Sequence, residues 1–199
     1  MTEMALQGRV AVVTGAETGT GAAVAAELAG QGAAVAVQYL ASFARGKAVV
    51  RGIEEAGGAA IAVRADPLDR GQTELLHLKA GGAFGDVDLV VATDAVPTPV
   101  DPEDAEALAD AVRARLLGVL GPLQAAVPAM TERGGGLLVY VPDEAGPDAF
   151  VHALARPVIE AAVTELGRRH AAHGIVCRVV PADAGEPPAA VAGLLAAIA

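Results

Sequence analysis

The chain has 199 residues, which is enough for one domain that buries a hydrophobic core without disulfide or metal support. Aromatic residues make up only 3% of the sequence, there is no tryptophan, and the formal net charge is −10. Base stacking needs aromatic platforms, and an acidic surface repels nucleic-acid phosphates and anionic membranes. The composition therefore argues against nucleic acid and membrane as partners.

The cysteine content favours a reducing compartment, and the sequence at the two ends of the chain lacks the patterns of a secretory signal and of a membrane span. The single cysteine, Cys177, cannot form an internal disulfide. The first residues lack the basic-then-apolar pattern of a secretory signal, and the apolar stretch 189–199 is too short to span a bilayer. We expect a soluble cytoplasmic protein. No set of Cys and His residues has zinc spacing, so no metal site is expected.

Apolar runs typical of β-strands alternate regularly with helical stretches along the chain. Strands are predicted over 9–14, 33–39, 59–64, 88–93, 136–141 and 175–180. Helices are predicted over 21–30, 42–55, 73–79, 101–133 and 149–170, followed by a short last helix over 194–198. Asp69 and Asp101 stand at the starts of the third and fourth helices, where each is expected to be the N-cap.

This alternation of nearly continuous apolar strands with helices predicts an α/β fold. A parallel sheet needs helical crossovers, and strands that are apolar on both sides must be covered on both faces. We therefore expect a Rossmann-like, doubly wound parallel sheet of about six strands with helices on both faces. No linker or repeat interrupts the pattern, so residues 1–199 are interpreted as a single domain.

A glycine-rich turn joins the first predicted strand to the first predicted helix. In this position Gly15 permits the turn, Gly19 lets backbone approach a pyrophosphate, and Gly21 lets helix and strand pack closely. The N-terminus of the helix then offers N–H groups and a positive dipole to phosphate. A tight turn without a ligand is the alternative. The residues of this candidate cofactor loop are Thr14, Gly15, Thr18, Gly19, Thr20 and Gly21.

The spacing TGxxxGxG resembles the short-chain dehydrogenase/reductase family, and the likeness extends over nearly the whole chain. The segments 57–66, 85–91, 116–130 and 174–180 are similar to the family's third strand, fourth strand, long interface helix and sixth strand. The resemblance implies an NAD(P)-dependent oxidoreductase in which Asp66 contacts the adenine. It also implies that two copies pair through helices 104–130 and 150–170, and we expect a homodimer. Both helices carry apolar residues on more than one face, which supports that expectation.

The residues at the family's catalytic positions are replaced. By counting along the chain, the Tyr and Lys of the family fall on His152 and Arg156, the Ser on Asp143 and the Asn on Arg115. Arginine cannot be deprotonated, and a carboxylate has the wrong sign to stabilise a carbonyl oxygen. By the same resemblance, we expect the family's substrate-covering segment to be reduced here to 184–188 and its last strand to be missing. We therefore expect a binding or scaffold protein that has lost ordinary carbonyl reduction.

An active enzyme with a rearranged proton donor is the alternative. His152 and Arg156 are four residues apart and share one helix face, while Asp143 on the neighbouring loop provides a carboxylate. A histidine held by a carboxylate can act as an acid or base near neutral pH. The same residues also fit a simple hydrogen-bonded surface pair. If the count is wrong, Tyr140 is the next candidate donor.

The residues after the second predicted strand bear on the choice of dinucleotide. Tyr39 stands where an acid would bind the ribose 2′-hydroxyl of NAD, which disfavours NAD. Ser42 and Arg45 are suited to a 2′-phosphate, although Glu17 in the glycine loop would repel it. On balance the sequence favours NADP over NAD.

Overall fold

The strands of the molecule form one parallel sheet. The structure, a computed structural model, describes residues 5–17, 19–94, 100–143, 149–180, 191 and 193. Its strands lie in the order β3-β2-β1-β4-β5-β6. Their bounds are β1 Val10–Val13, β2 Ala34–Tyr39, β3 Ala59–Arg64, β4 Leu89–Thr93, β5 Gly136–Val141 and β6 Ile175–Val179. The expected Rossmann-like fold of six parallel strands is confirmed.

In the described part of the chain, five α-helices cover the two faces of this sheet. They are α1 Gly19–Gly30, α2 Phe43–Glu55, α3 Arg70–Phe84, α4 Ala105–Arg133 and α5 Ala149–His170, and a short 3-10 turn Ala171–His173 precedes β6. Helices α1 and α2 pack on one face and contribute Leu28 and Ile53 to its core. Helices α3, α4 and α5 pack on the other. Both cores contain mainly Val, Leu, Ile and Ala, as the composition indicated.

The start of α4 differs from the prediction. The N-cap is Asp104, whose side chain accepts a hydrogen bond from Ala107 N, and not Asp101. The Asp101 carboxylate instead accepts the N–H of Glu103 at 2.9 Å and closes a turn ahead of the helix. Two acids three residues apart can each cap a helix, and local spacing does not distinguish them. The N-cap role of Asp69 is confirmed, since it accepts from Gln72 N.

Other predicted boundaries are close to the observed ones. Helix α3 begins at Arg70, directly after the predicted cap Asp69, and ends at Phe84, beyond the predicted end at Lys79. The predicted last helix over 194–198 lies outside the described residues. Cys177 is buried in β6 as a core residue, and burial raises the pKa of its thiol to about 11. Within the described ranges, no helix is both long and apolar enough to cross a membrane.

The strand order determines where a ligand fits best. The order reverses direction between β1 and β4, which are neighbours in the sheet but belong to different halves of the chain. In open parallel sheets, ligands bind at the carboxyl ends of the strands beside such a switch point. The glycine loop after β1 and the residues after β4 and β5 therefore surround the expected binding crevice.

Candidate functional site

The glycine loop has the geometry that its sequence predicts. Gly15 has a φ of +64°, and its N–H donates to the Gln38 side chain at 2.8 Å. A Cβ at Gly15 would collide with the Thr93 hydroxyl, and one at Gly21 would lie 2.5 Å from the Gly15 carbonyl oxygen. These two glycines therefore let the first turn of α1 pack against its own loop and against β4.

Gly19 has a different environment from the other two glycines. Its φ is +61°, and a Cβ built there meets no atom of the described residues within 4 Å, so those residues leave the space above the start of α1 open. The Thr14 hydroxyl oxygen nearby is buried and has no hydrogen-bond partner among the described residues. Open space, an unpaired hydroxyl and a helix N-terminus fit a dinucleotide pyrophosphate. Thr18 lies outside the described residues.

The end of β2 carries a carboxylate that comes from the glycine loop. Glu17 is 5% exposed, and its two oxygens accept the N–H groups of Leu40 at 3.3 Å, Ala41 at 3.0 Å and Ser42 at 2.7 Å. The Ser42 hydroxyl is also engaged, because it caps α2 by accepting Arg45 N. Three successive N–H groups after β2 thus converge on one buried anion.

Tyr39 and Asp66 lie at the carboxyl ends of β2 and β3, the two strands on one side of β1. Tyr39 is buried, and its ring packs against Phe43 with the ring centroids 5.8 Å apart. Asp66 follows β3 and is half-buried. One of its carboxylate oxygens accepts Leu68 N, and its own N–H donates to the Gln72 side chain. Asp66 therefore lies at the carboxyl edge of the sheet, where the family resemblance expects an adenine contact.

A buried polar cluster occupies the carboxyl ends of β4 and β5. Asp94, directly after β4, forms an ion pair with Arg115 of α4, with Arg115 Nη1 2.9 Å from Asp94 Oδ2. The other Asp94 oxygen accepts the hydroxyl of Tyr140 at 3.0 Å. His152 of α5 places Nδ1 3.2 Å from Arg115 Nη1 and 3.5 Å from Asp94 Oδ2. All four side chains are buried.

Burial also shifts the acidity of two groups at this edge. The pKa of Tyr140 is raised, first by burial and then by the negative charge and hydrogen bond of Asp94. The pKa of Asp143 is raised mainly by burial, against which the Thr20 hydroxyl acts by donating to the carboxylate. The backbone N–H of Asp143 donates to Asp94 at 3.0 Å. Thr20, Asp143 and Asp94 therefore form a continuous set of contacts from the glycine loop to the buried cluster.

The predicted catalytic residues are only partly brought together. Arg115 and His152 are in direct contact, and Asp143 joins them through Asp94. Arg156, in contrast, pairs with Glu160 one turn along α5, at 2.6 Å. The proposed set of His152, Asp143 and Arg156 is therefore better described as His152 with Arg115 and Asp94.

Two members of the cluster, Asp94 and Tyr140, were not predicted as central. The notable signal for Asp94 is a charged residue immediately after the fully buried strand β4, at the edge where ligands bind. Tyr140 lies inside β5, where the sequence pattern indicates an ordinary core aromatic residue. Its hydroxyl contact could not be expected without the position of the neighbouring strand.

A cavity of about 410 Å³ lies elsewhere in the molecule. Arg9, Asp88 and Leu137 line it, together with the glycines 134–136. These residues lie at the amino ends of the strands, opposite the glycine loop. The rule for parallel sheets places ligands at the carboxyl ends, so this cavity is not the dinucleotide crevice.

Comparisons with known proteins agree with this geometry. A family model described as short chain dehydrogenase matches residues 9–179. The cis-4-hydroxycyclohexanecarboxylate dehydrogenase of Sinomonas cyclohexanicum is 35% identical over 194 residues, covering 94% of this chain and 76% of that protein. An uncharacterized oxidoreductase of Methylorubrum extorquens is 50% identical over 91 residues, which span 46% of this chain and 37% of the relative. The structure of a dehydrogenase/reductase from Sinorhizobium meliloti superposes with a TM-score of 0.79 at 25% identity, covering 98% of this chain and 89% of that one.

Proposed function

The chain belongs to the short-chain dehydrogenase family, and from that premise we propose that it binds a nicotinamide dinucleotide but no longer performs ordinary carbonyl reduction. The observation that carries the proposal is the buried Arg115–Asp94 ion pair, which also engages His152 and Tyr140. A bound dinucleotide supplies or accepts a hydride, and the protein must move the matching proton.

Dinucleotide binding is supported by the glycine loop. Its positive-φ glycines and the start of α1 form a cradle for the pyrophosphate, and Thr14 offers an unpaired hydroxyl. The adenosine would extend over the carboxyl ends of β2 and β3, towards Glu17 and Asp66. These residues fit the group that the family binds.

Loss of ordinary reduction is supported by the pairing inside the cluster. Tyr140 donates its hydroxyl proton to Asp94 and is 0% exposed, and its raised pKa further disfavours giving that proton away. Asp94 and Asp143 are acids on the side where an electron-rich carbonyl oxygen would need positive charge. The charge of Arg115 is already directed at Asp94.

A second candidate function is catalysis with His152 as the proton donor. The observation in its favour is the 3.5 Å separation between His152 Nδ1 and Asp94 Oδ2, since a carboxylate beside an imidazole can hold it as an acid. In this hypothesis the donor is the imidazole, and the reaction is reductive or of a non-redox type.

The sequence also supports proposals on the assembly, the location and the role of the chain. We propose a homodimeric protein in the cytoplasm, with residues 1–199 as one domain and a reduced substrate cover. The chain would act as a binding or scaffold subunit. The preference for NADP over NAD rests on Ser42 and Arg45, and it depends on the surface after β2 being open to phosphate. Glu17 lies at that surface and contributes a negative charge to it.

A fluorescence titration with NADH and NADPH tests the proposal. Gly19→Leu places a side chain in the open space above α1, so it should abolish binding while the circular dichroism spectrum stays unchanged. Gly57→Leu is the matched control, because Gly57 also has positive φ and open space but lies far from the loop. Unchanged affinity in a folded Gly19→Leu protein would remove the glycine loop as the binding site.

A further inference from the structure

The carboxylate of Glu17 occupies an anion-binding site made of backbone N–H groups. Three consecutive backbone N–H groups, from Leu40, Ala41 and Ser42, converge on its two oxygens over 2.7–3.3 Å. Successive N–H groups of this kind form a concave anion site. Because Glu17 is 5% exposed, its charge is held in a largely dry environment and is weakly screened.

The position of this site relates it to the adenosine ribose. In a sheet of this order, the residue that reads the ribose 2′ position stands at the carboxyl end of β2. Here that residue is Tyr39, which has no carboxylate, and the N–H groups that hold Glu17 belong to the next three residues. The glycine loop, which follows the neighbouring strand β1, thus supplies the negative charge that the end of β2 lacks.

We infer that Glu17 selects against a 2′-phosphate and makes the chain specific for NAD(H). The inference rests on the proposed dinucleotide binding, and it reverses the preference that Ser42 and Arg45 suggest. A 2′-phosphate would meet a buried carboxylate, and the N–H groups of Leu40, Ala41 and Ser42 are already paired with Glu17. A 2′-hydroxyl carries no charge and can donate a hydrogen bond to the remaining acceptor capacity of Glu17.

Arg45, the cation that the sequence suggested for a 2′-phosphate, does not offset this repulsion. Arg45 lies on the exposed side of the first turn of α2, where water screens its charge. The Ser42 hydroxyl is committed to the N-cap of α2, with Arg45 N 3.3 Å away. The attraction that Ser42 and Arg45 offer to a 2′-phosphate is therefore weaker than the repulsion from the buried carboxylate of Glu17.

Fluorescence titrations with NADH and NADPH, using the full chain, test the inference without any activity. Juxtaposed like charges cost several powers of ten in affinity, so wild-type protein should bind NADH at least about 100-fold more tightly than NADPH. Glu17→Gln removes the charge, and Glu17→Ala also opens the three N–H groups. Each should reduce the preference at least about tenfold, mainly through tighter NADPH binding. Glu54→Gln, the same change on the exposed end of α2, should leave it unchanged.

The outcomes separate this inference from the proposed function. Equal affinities in the wild type, tighter binding of NADPH, or a preference that survives in a folded Glu17 variant would overturn the role of Glu17 and leave dinucleotide binding intact. A wild-type protein that binds neither dinucleotide would overturn the proposed function and, with it, this inference. If both Glu17 variants fail to fold, the ratio measured on the wild type still decides whether NADH is selected.

Discussion

Arg115 and Asp94 form a buried ion pair between the long helix α4 and the end of β4. The two charged atoms are 2.9 Å apart, and the side chains are 7% and 1% exposed. A buried pair of this kind adds little net stability over apolar packing, because both charges lose their hydration. Removing one partner, in contrast, lowers the stability of the fold, because the remaining charge stays buried without a countercharge.

Replacing Arg115 with methionine should therefore destabilise the protein strongly. Asp94 would keep the Tyr140 and Asp143 hydrogen bonds but lose its countercharge, and we expect a loss of about 3–5 kcal/mol in the free energy of unfolding. Urea denaturation measures this change. The double variant Asp94→Asn/Arg115→Met should recover part of the loss, because neither charge of the pair then remains buried without the other.

Arg70→Met is the control for that experiment. Arg70 pairs with Glu74 on the exposed side of α3, where the pair is screened by water. Its replacement should scarcely change the denaturation midpoint. Equal effects of Arg70→Met and Arg115→Met would show that the buried pair does not behave as described.

The raised pKa of Asp143 gives stability a specific pH dependence. Burial favours the protonated carboxyl, so between its ordinary and its raised pKa the folded state binds more protons than the unfolded state. This contribution to stability is present at low pH and is lost as the pH rises through the folded pKa. The side chain in the Asp143→Asn variant cannot titrate. The Tm of this variant should therefore exceed that of wild type by a small amount at pH 7. The difference should disappear near pH 4.

Asp69→Asn provides the opposite case for the same chemical change. Asp69 caps α3, and the N–H of Gln72 lowers the pKa of its carboxyl, so its ionised form is the stabilising one. Its replacement should not raise the Tm at pH 7. An Asp143→Asn protein that is less stable than wild type at neutral pH would contradict the sign of the effect.

Reduction of simple ketones and of 3-ketoacyl thioesters should be negligible. A positioned proton donor contributes about 10²–10⁴-fold and an oxyanion donor about 10²–10³-fold, and the structure pairs the groups at both places with other residues. The reaction is measured as the decrease in the absorbance of NADH or NADPH after the carbonyl substrate is added. Steady turnover abolished by His152→Ala, but not by His170→Ala at the end of α5, would establish His152 as the acid. Turnover that survives His152→Ala would direct attention to Tyr140→Phe.

The exposed apolar residues of α4 and α5 predict a dimer in solution. Leu117 is 37% exposed, Leu154 43% and Val158 53%, and all three lie on the two helices that pair in the family resemblance. Light scattering at micromolar concentration should give the mass of a dimer. Val158→Glu should produce a folded monomer, whereas Leu78→Glu on α3, which is 72% exposed, should leave the dimer intact. A monomeric wild type would contradict this prediction.

The sequence predicted the sheet well because each strand is a short apolar run with clear ends. The bounds of β3 and β5 are identical to those predicted, and the glycine loop stands where its spacing indicates. The buried cluster was harder to foresee, because Asp94 and Arg115 are brought together only by the packing of α4 on the sheet. Likewise, Glu17 was seen near the phosphate position, but its hold on three N–H groups depends on the path of the chain after β2.

The Asp94 carboxylate joins three elements of the fold. It follows β4, accepts the N–H of Asp143 after β5 at 3.0 Å, and pairs with Arg115 of α4. A substitution at Asp94 therefore acts on two strand ends and one helix at once, so its effect cannot be confined to the charge that it removes.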